Sequence, residues 1–254
     1  MYELVSLVNL SAAGEDVPLV GRGIFVMAVK AARSESQADK ATVRAQDPEG
    51  TRQNIIEVAS EEFALNGLSG ARIDEIAART RASKRMIYYY FGDKEGLYLA
   101  VLENAYRNVR EGEAELDIDG LAPLEALRKL VEFTFDHHHK HEGFIRMVMI
   151  ENIHHAEYLE KSKVIRQLNV TAIGTIEALY ERGVKEGLFR PGLDPLELHW
   201  QVSALCFFNV SNRATFSRLF GRDLSAAKAQ ASLKRNAVDM VVRYVVKADK
   251  IPRD

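Results

Sequence analysis

The stretch from Gly67 to Asn104, GLSGARIDEIAARTRASKRMIYYYFGDKEGLYLAVLEN, constrains this chain more than any other. It spells a short helix, a tight turn, a second short helix ending in three tyrosines, and a longer helix. In the first, Arg72–Arg79, the residues Ile73, Ile76 and Ala77 fall on one face at three- and four-residue spacing. Between Arg79 and Ser83 the chain must turn sharply. Ser83 is a good N-cap for the second helix, placing Lys84, Arg85 and Met86 in its first turn. Ile87 and one or two of the tyrosines must turn inward. Asp93 caps the longer helix, whose stripe of Leu97, Ala100, Val101, Ala105 and Val109 runs down to about Arg110. Upstream, Thr51–Asn66 reads as an amphipathic helix on Ile55, Ile56, Ala59, Phe63 and Ala64, with Gly67 as a left-handed stop. Such an order of parts suits insertion of a small helix, N-terminus first, into the major groove of DNA.

Charge agrees with that placement. Over 254 residues the formal net charge is only −2, so any nucleic-acid surface has to be local. Between Arg79 and Lys94 five cations (Arg79, Arg81, Lys84, Arg85 and Lys94) face one acid, Asp93, enough for a few phosphate contacts. The single cysteine, Cys206, excludes an intramolecular disulfide framework and fits a reducing cytosol. No apolar run is long enough for a transmembrane helix, so no membrane partner is expected and the location expected is cytoplasmic.

From Thr51 to Glu103 the sequence resembles the N-terminal domain of the TetR family of one-component transcriptional regulators, through FALNG, IDEIAAR, ASKRMIYYYF and DKEGLYLAVLE. The resemblance implies a three-helix DNA-binding head whose fourth helix leads into a variable, all-α body for ligand binding and dimerisation. It also implies the DNA-binding residues. Lys84 and Arg85, behind Ser83, read bases or adjacent phosphates. Tyr89 and Tyr90 offer hydroxyls to phosphates, Tyr88 is the one of the three expected to pack partly inward, and Lys94 anchors the start of the fourth helix. Two departures stand out. Arg81 occupies a turn position usually held by glycine, so it must accept or avoid a positive φ. The small hydroxyl residue that usually opens the first of the two short helices is replaced by Ala71 and Arg72, which moves that phosphate contact to Arg72.

Three regions are expected: an arm over 1–49, the head over 50–110 and the body over 120–248. Residues 1–26 fit a signal peptide poorly and read as translation from an upstream start, with Met27 beginning the natural protein. Residues 28–49 show little periodicity and a Pro48-Glu49-Gly50 break, so they read as an arm whose Lys30, Arg33, Lys40 and Arg44 can touch DNA. The acid-rich run from Glu111 to Asp119 reads as a linker. Beyond it five helices are expected, over Leu124–Lys140, Gly143–His155, Glu157–Gly187, Pro195–Phe220 and Ser225–Lys247.

In a body of this family those helices surround a pocket for a small-molecule effector. The resemblance places Met147, Trp200 and Phe208 on its apolar wall and His138, His154 and His155 among its polar contacts. His137 and His141 share a helical face at a spacing that can chelate a metal. No cysteine or carboxylate pattern accompanies them, and histidines at a helix C-terminus complement its dipole, so neither metal nor cofactor is expected. The last two helices carry apolar stripes, Trp200, Ala204, Phe207, Phe208 and Val210 on one and Ala237, Val238, Val241, Val242 and Val245 on the other. Burial against a twin would use them, with burial inside the monomer as the alternative. The expected protein is therefore a homodimeric repressor of a palindromic operator, released by a small molecule. Two alternatives compete: a metal-binding or enzymatic body using the His137–His141 cluster, and a ligand-independent activator. No P-loop, nucleophile elbow, dinucleotide-binding glycine pattern or His-Glu-x-x-His argues for an enzyme.

Overall fold

The structure, a computed structural model, describes residues 47–251. The arm and the Met27 start therefore lie outside the described residues, apart from the arm's last three positions. Two of them, Pro48 and Glu49, already differ from expectation. The first helix begins at Pro48, because proline is pre-organised for the first position of a helix, where its missing N–H is no loss.

Eleven α-helices follow one another among the described residues: α1 (Pro48–Gly70), α2 (Ile73–Arg79), α3 (Lys84–Phe91), α4 (Lys94–Ala114), α5 (Pro123–Lys140), α6 (Glu142–Ile153), α7 (Glu157–Lys161), α8 (Lys163–Lys185), α9 (Pro195–Ser211), α10 (Arg213–Leu219) and α11 (Ala227–Val245). The only β pairing described is a single bridge between Phe189 and Val246, so the chain is all-α as expected. Gly67 has φ 65° and interrupts helical geometry at the end of α1, the left-handed stop its position called for.

Two expected helices are split. Glu157–Gly187 breaks at Ser162, whose hydroxyl accepts the Ile165 N–H at 3.1 Å and so caps a new helix. Pro195–Phe220 breaks at Asn212, where α9 ends and α10 begins. The expected acidic linker is shortened from the other side, since α4 continues to Ala114 and takes Glu113 into a part-buried ion pair with Arg110.

The apolar side chains form two clusters. In one, Ile55, Phe63, Ile76, Ile87, Leu97, Tyr98 and Leu102 join α1–α4, with Met147 of α6 and Ile165 of α8 closing it from the body side. The other joins α5, α8, α9 and α11 through Leu127, Val131, Phe135, Leu179, Phe189, Val202, Cys206, Val238, Val241 and Val245. The α11 stripe expected to cover a twin is thus spent inside the monomer, the alternative reading. Tyr244 and Met240 are what α11 leaves exposed.

The turn after α8 depends on a close approach. A Cβ on Gly183 would lie 2.1 Å from Cδ2 of the fully buried Phe189, and the Gly183 carbonyl accepts the N–H groups of both Leu188 and Phe189 at 3.0 Å. Gly183→Ala is expected to displace that ring at a cost of about 1–3 kcal/mol, the range for overpacking a filled core. Urea unfolding measures it, and an unchanged midpoint would show that Phe189 yields freely.

Candidate nucleic-acid interface and internal cavity

The wedge is built as its caps dictate. Ser83 Oγ accepts the Met86 N–H at 3.3 Å to start α3, and Asp93 Oδ1 accepts the Gly96 N–H at 2.7 Å to start α4. Arg81 avoids the left-handed region. Thr80 shapes the turn instead, its hydroxyl hydrogen-bonding to the Ala77 and Ala82 carbonyls and accepting the Ala82 N–H at 3.3 Å. Glu62, buried in α1, supports the start of α2: its Oε1 accepts the Arg72 N–H at 3.2 Å and the Asn66 amide at 2.9 Å. Sequence reasoning missed Glu62, because a lone acid among the acids of an amphipathic helix gives no sign that it folds inward.

Arg72, Ser83, Lys84, Arg85 and Tyr89 are all exposed, with Tyr89 84% exposed and the outermost of the tyrosines. The expectation for Tyr88 is corrected: Tyr90 packs against the head core, and Tyr88 stays outside. Helical geometry explains the exchange. Tyr90 lies three residues after the fully buried Ile87, on the same face, while Tyr88 lies a hundred degrees round. Tyr90 stacks edge-on with Tyr89, ring centroids 5.5 Å apart. Three of the five cations have partners within the head. Lys84 Nζ pairs with Asp74 at 2.7 Å, an interaction that raises the Lys84 pKa through its hydrogen bond and charge, and Lys94 Nζ donates to the Ser69 carbonyl at 3.2 Å. Arg79 pairs with Glu61. Arg85 and Arg81 have no hydrogen bond or ion pair to the described residues, which leaves their guanidinium groups available to an outside partner.

Behind the head lies a cavity of about 550 Å³, bounded by α4, α5, α6, α8 and α9. Three of the expected effector residues, His138, Trp200 and Phe208, stand on its wall. The other three do not. Met147 is fully buried in the head core, His154 is exposed at the end of α6, and His155 borders a separate shallow groove. Both Tyr106 and Asn169 border the groove and the cavity.

The wall also contains Arg110 and Glu113 of α4 and Asn169 of α8, which the sequence reading passed over, together with His137 of α5, considered there only as a candidate metal ligand, and His199 of α9. Arg110 pairs with Glu113, and its Nη2 reaches Asn169 Oδ1 at 3.4 Å. The signal for it was present, since Tyr106, Arg110 and Glu113 continue the inward face of α4 at four- and three-residue spacing. Burial pushes the pKa values of His137 and His138 down to about 4, reinforced for His137 by His141, His138 and Arg110, and for His138 by Arg110 and His199. Burial and Arg110 lower His199 as well. At neutral pH all three imidazoles are uncharged. The His137 and His141 rings stack with centroids 4.1 Å apart, and His141 Nδ1 contacts the His137 carbonyl at 2.9 Å. Among the described residues no group of three or more His, Cys, Asp or Glu side chains is placed to hold a metal.

Helix α6 joins the two sites. Phe144, Ile145, Val148 and Asn152 form part of the cavity wall. Met147 and Glu151 lie on the adjoining side of the same helix, in or against the head. Glu151, 1% exposed, accepts the Tyr98 hydroxyl at 2.9 Å and the Leu159 N–H at 3.1 Å. Ser162 meanwhile donates to Glu103 at 2.7 Å, a second tie to α4.

A groove-reading helical head packed on a hollow helical body defines a one-component regulator, with the DNA reader and the sensor in one chain. Comparison with known proteins assigns it further. A family model described as bacterial regulatory proteins, tetR family, matches residues 55–101, and a tetracyclin repressor-like C-terminal domain matches residues 123–241. The chain is 36% identical over 207 residues to the HTH-type transcriptional repressor NicS of Pseudomonas putida, covering 82% of this chain and 98% of that one. The same fold occurs in a TetR transcriptional regulator from Chloroflexus aurantiacus, with a TM-score of 0.61, 20% identity and coverage of 80% of this chain and 100% of the other. It occurs too in FadR from Bacillus subtilis, solved in complex with stearoyl-CoA, with a TM-score of 0.60, 18% identity and coverage of 75% and 97%. This chain belongs to the TetR family and is a DNA-binding transcriptional regulator. No described helix is long and apolar enough to cross a membrane.

Proposed function

We propose that the protein is a repressor without enzymatic activity, which binds a palindromic operator as a homodimer and releases it when a small molecule enters the cavity. Arg72, Ser83, Lys84, Arg85, Tyr89, Tyr90 and Lys94 form the DNA surface of each head, residues 50–110, and residues 120–248 form the sensing and dimerising body. Lys84 and Lys94 exchange Asp74 and the Ser69 carbonyl for phosphate on binding. Dimerisation uses apolar residues that the monomer leaves exposed on α9, α10 and α11, among them Leu219, Phe220 and Met240. Two heads on one operator multiply a weak single contact through linkage.

The observation that carries this reading is the double duty of α6, which lines the cavity with Phe144, Ile145, Val148 and Asn152 and, on the adjoining side, is hydrogen-bonded through Glu151 to Tyr98 of α4. A ligand that prefers one position of α6 shifts the population of head spacings, and heads displaced from about 34 Å no longer fit successive major grooves. Named repression in the relative NicS supports the sign of regulation.

Tyr98→Phe tests the joint. It leaves the buried Glu151 short of a donor, and is expected to cost about 1–3 kcal/mol in urea unfolding. If stability and operator affinity both stay at the wild-type values, Glu151 does not tie the cavity to the head.

A further inference from the structure

We propose that the cavity takes a small aromatic carboxylate, its carboxyl group anchored on Arg110 and its ring held among the aromatic side chains. This rests on the reading of the cavity as the effector site and names the class of effector.

Hydrogen-bonding capacity identifies the anchor. Among the described residues, the charged side chains on the wall are Arg110 and Glu113, and they pair with each other. A guanidinium carries five N–H donors and no acceptor. Glu113 holds Nη1, Nη2 has only its 3.4 Å contact to Asn169, and Nε is buried with no partner. The pair is neutral in charge but has donors to spare, so the missing partner must bring acceptors. A carboxylate does so in the geometry that a guanidinium edge favours, two parallel N–H···O bonds on Nε and Nη2.

The rest of the wall specifies the body of the ligand. Tyr106, Phe133, Phe144, Trp200, Phe207 and Phe208 line the same cavity as the polar groups. Aromatic side chains favour offset or edge-on contact with another ring. The volume of about 550 Å³ is that of a site for a small ligand.

Trp200 is the single tryptophan of the chain and borders the cavity while 71% exposed, so a ligand that covers it shifts its fluorescence. The full-length protein is titrated with benzoate and 2-naphthoate, and with their neutral isosteres benzamide and 2-naphthamide, up to millimolar concentration. The carboxylates are expected to bind about tenfold or more tightly than the amides, as a charge-assisted bidentate pair requires. Arg110→Gln should erase that preference. Glu113→Gln, which removes a competing acceptor and does not depend on the fate of the Arg110 variant, should leave carboxylate binding unchanged or tighten it. Equal affinity for acid and amide, or carboxylate binding weakened by Glu113→Gln, overturns the proposal while the effector cavity stands. If no probe changes Trp200 emission, the aromatic carboxylate proposal fails, while the effector reading, which an occupant of another class would satisfy, stands.

Discussion

Lowering the pH from 7 to 5 is expected to remove about 2 kcal/mol of folding stability for each of His137 and His138. Both imidazoles are held near pKa 4, well below the ordinary value of 6.5, chiefly because burial penalises the charged form. The unfolded chain therefore binds more protons than the folded one between those two values. Stability from this source is fully present above about pH 6.5 and is lost as the pH falls toward 4. At pH 4 and below, the loss per histidine approaches about 3 kcal/mol, one pKa unit being worth about 1.4 kcal/mol. The two losses do not add in full, because His138 is itself one reason that His137 is depressed. Urea midpoints at pH 7, 6 and 5 measure the slope, and His137→Gln with His138→Gln should flatten it. A flat profile in the wild type would mean that the two rings stand in water rather than in the wall of the chamber.

The head variant Lys84→Ala with Arg85→Ala is expected to weaken operator binding by roughly 2–6 kcal/mol per half-site, taking about 1–3 kcal/mol for each contact. The two residues should not behave alike. Arg85 has no partner among the described residues and carries a fork that matches guanine O6 and N7 in the major groove, so its loss should relax preference at one base pair per half-site. Lys94→Ala, by contrast, should weaken all sequences evenly and lower the salt slope, as loss of a phosphate contact does. It should also cost some stability, because Lys94 ties the start of α4 to the Ser69 carbonyl. Fluorescence anisotropy across operator variants and salt concentrations separates these effects. Identical behaviour of Arg85→Ala and Lys94→Ala over all variants would refute this division of roles.

The head could be read from sequence because its determinants are local. Ser83, Asp93 and Gly67 act within a turn of where they stand, and the spacing of Ile73, Ile76 and Ile87 fixes which faces go inside. Ser162 is of the same kind, a cap visible in the text but overridden by the apolar periodicity on either side of it. The chamber was less legible, because its wall depends on which of two good faces a helix turns toward which neighbour. Met147 shows the difficulty. Both faces of α6 are apolar, and only packing decides that Met147 enters the head while Val148 faces the cavity. Arg110 and Glu113 were hidden for another reason. Charge normally marks a solvated surface, and their burial is stabilised by a pairing that composition does not reveal. The α11 valines illustrate the same limit, since an apolar stripe has to be covered but does not say by what.

In the proposed function, two identical chains set two cationic wedges one turn of the duplex apart. Sedimentation of the purified protein with a duplex taken from immediately upstream of its own gene tests this most directly, at low ionic strength and paired with a hydroxyl-radical footprint. The account predicts two chains, or a multiple of two, per duplex and protection in two symmetric patches centred about 34 Å apart along the helix. A monomer that leaves that duplex unprotected would contradict it.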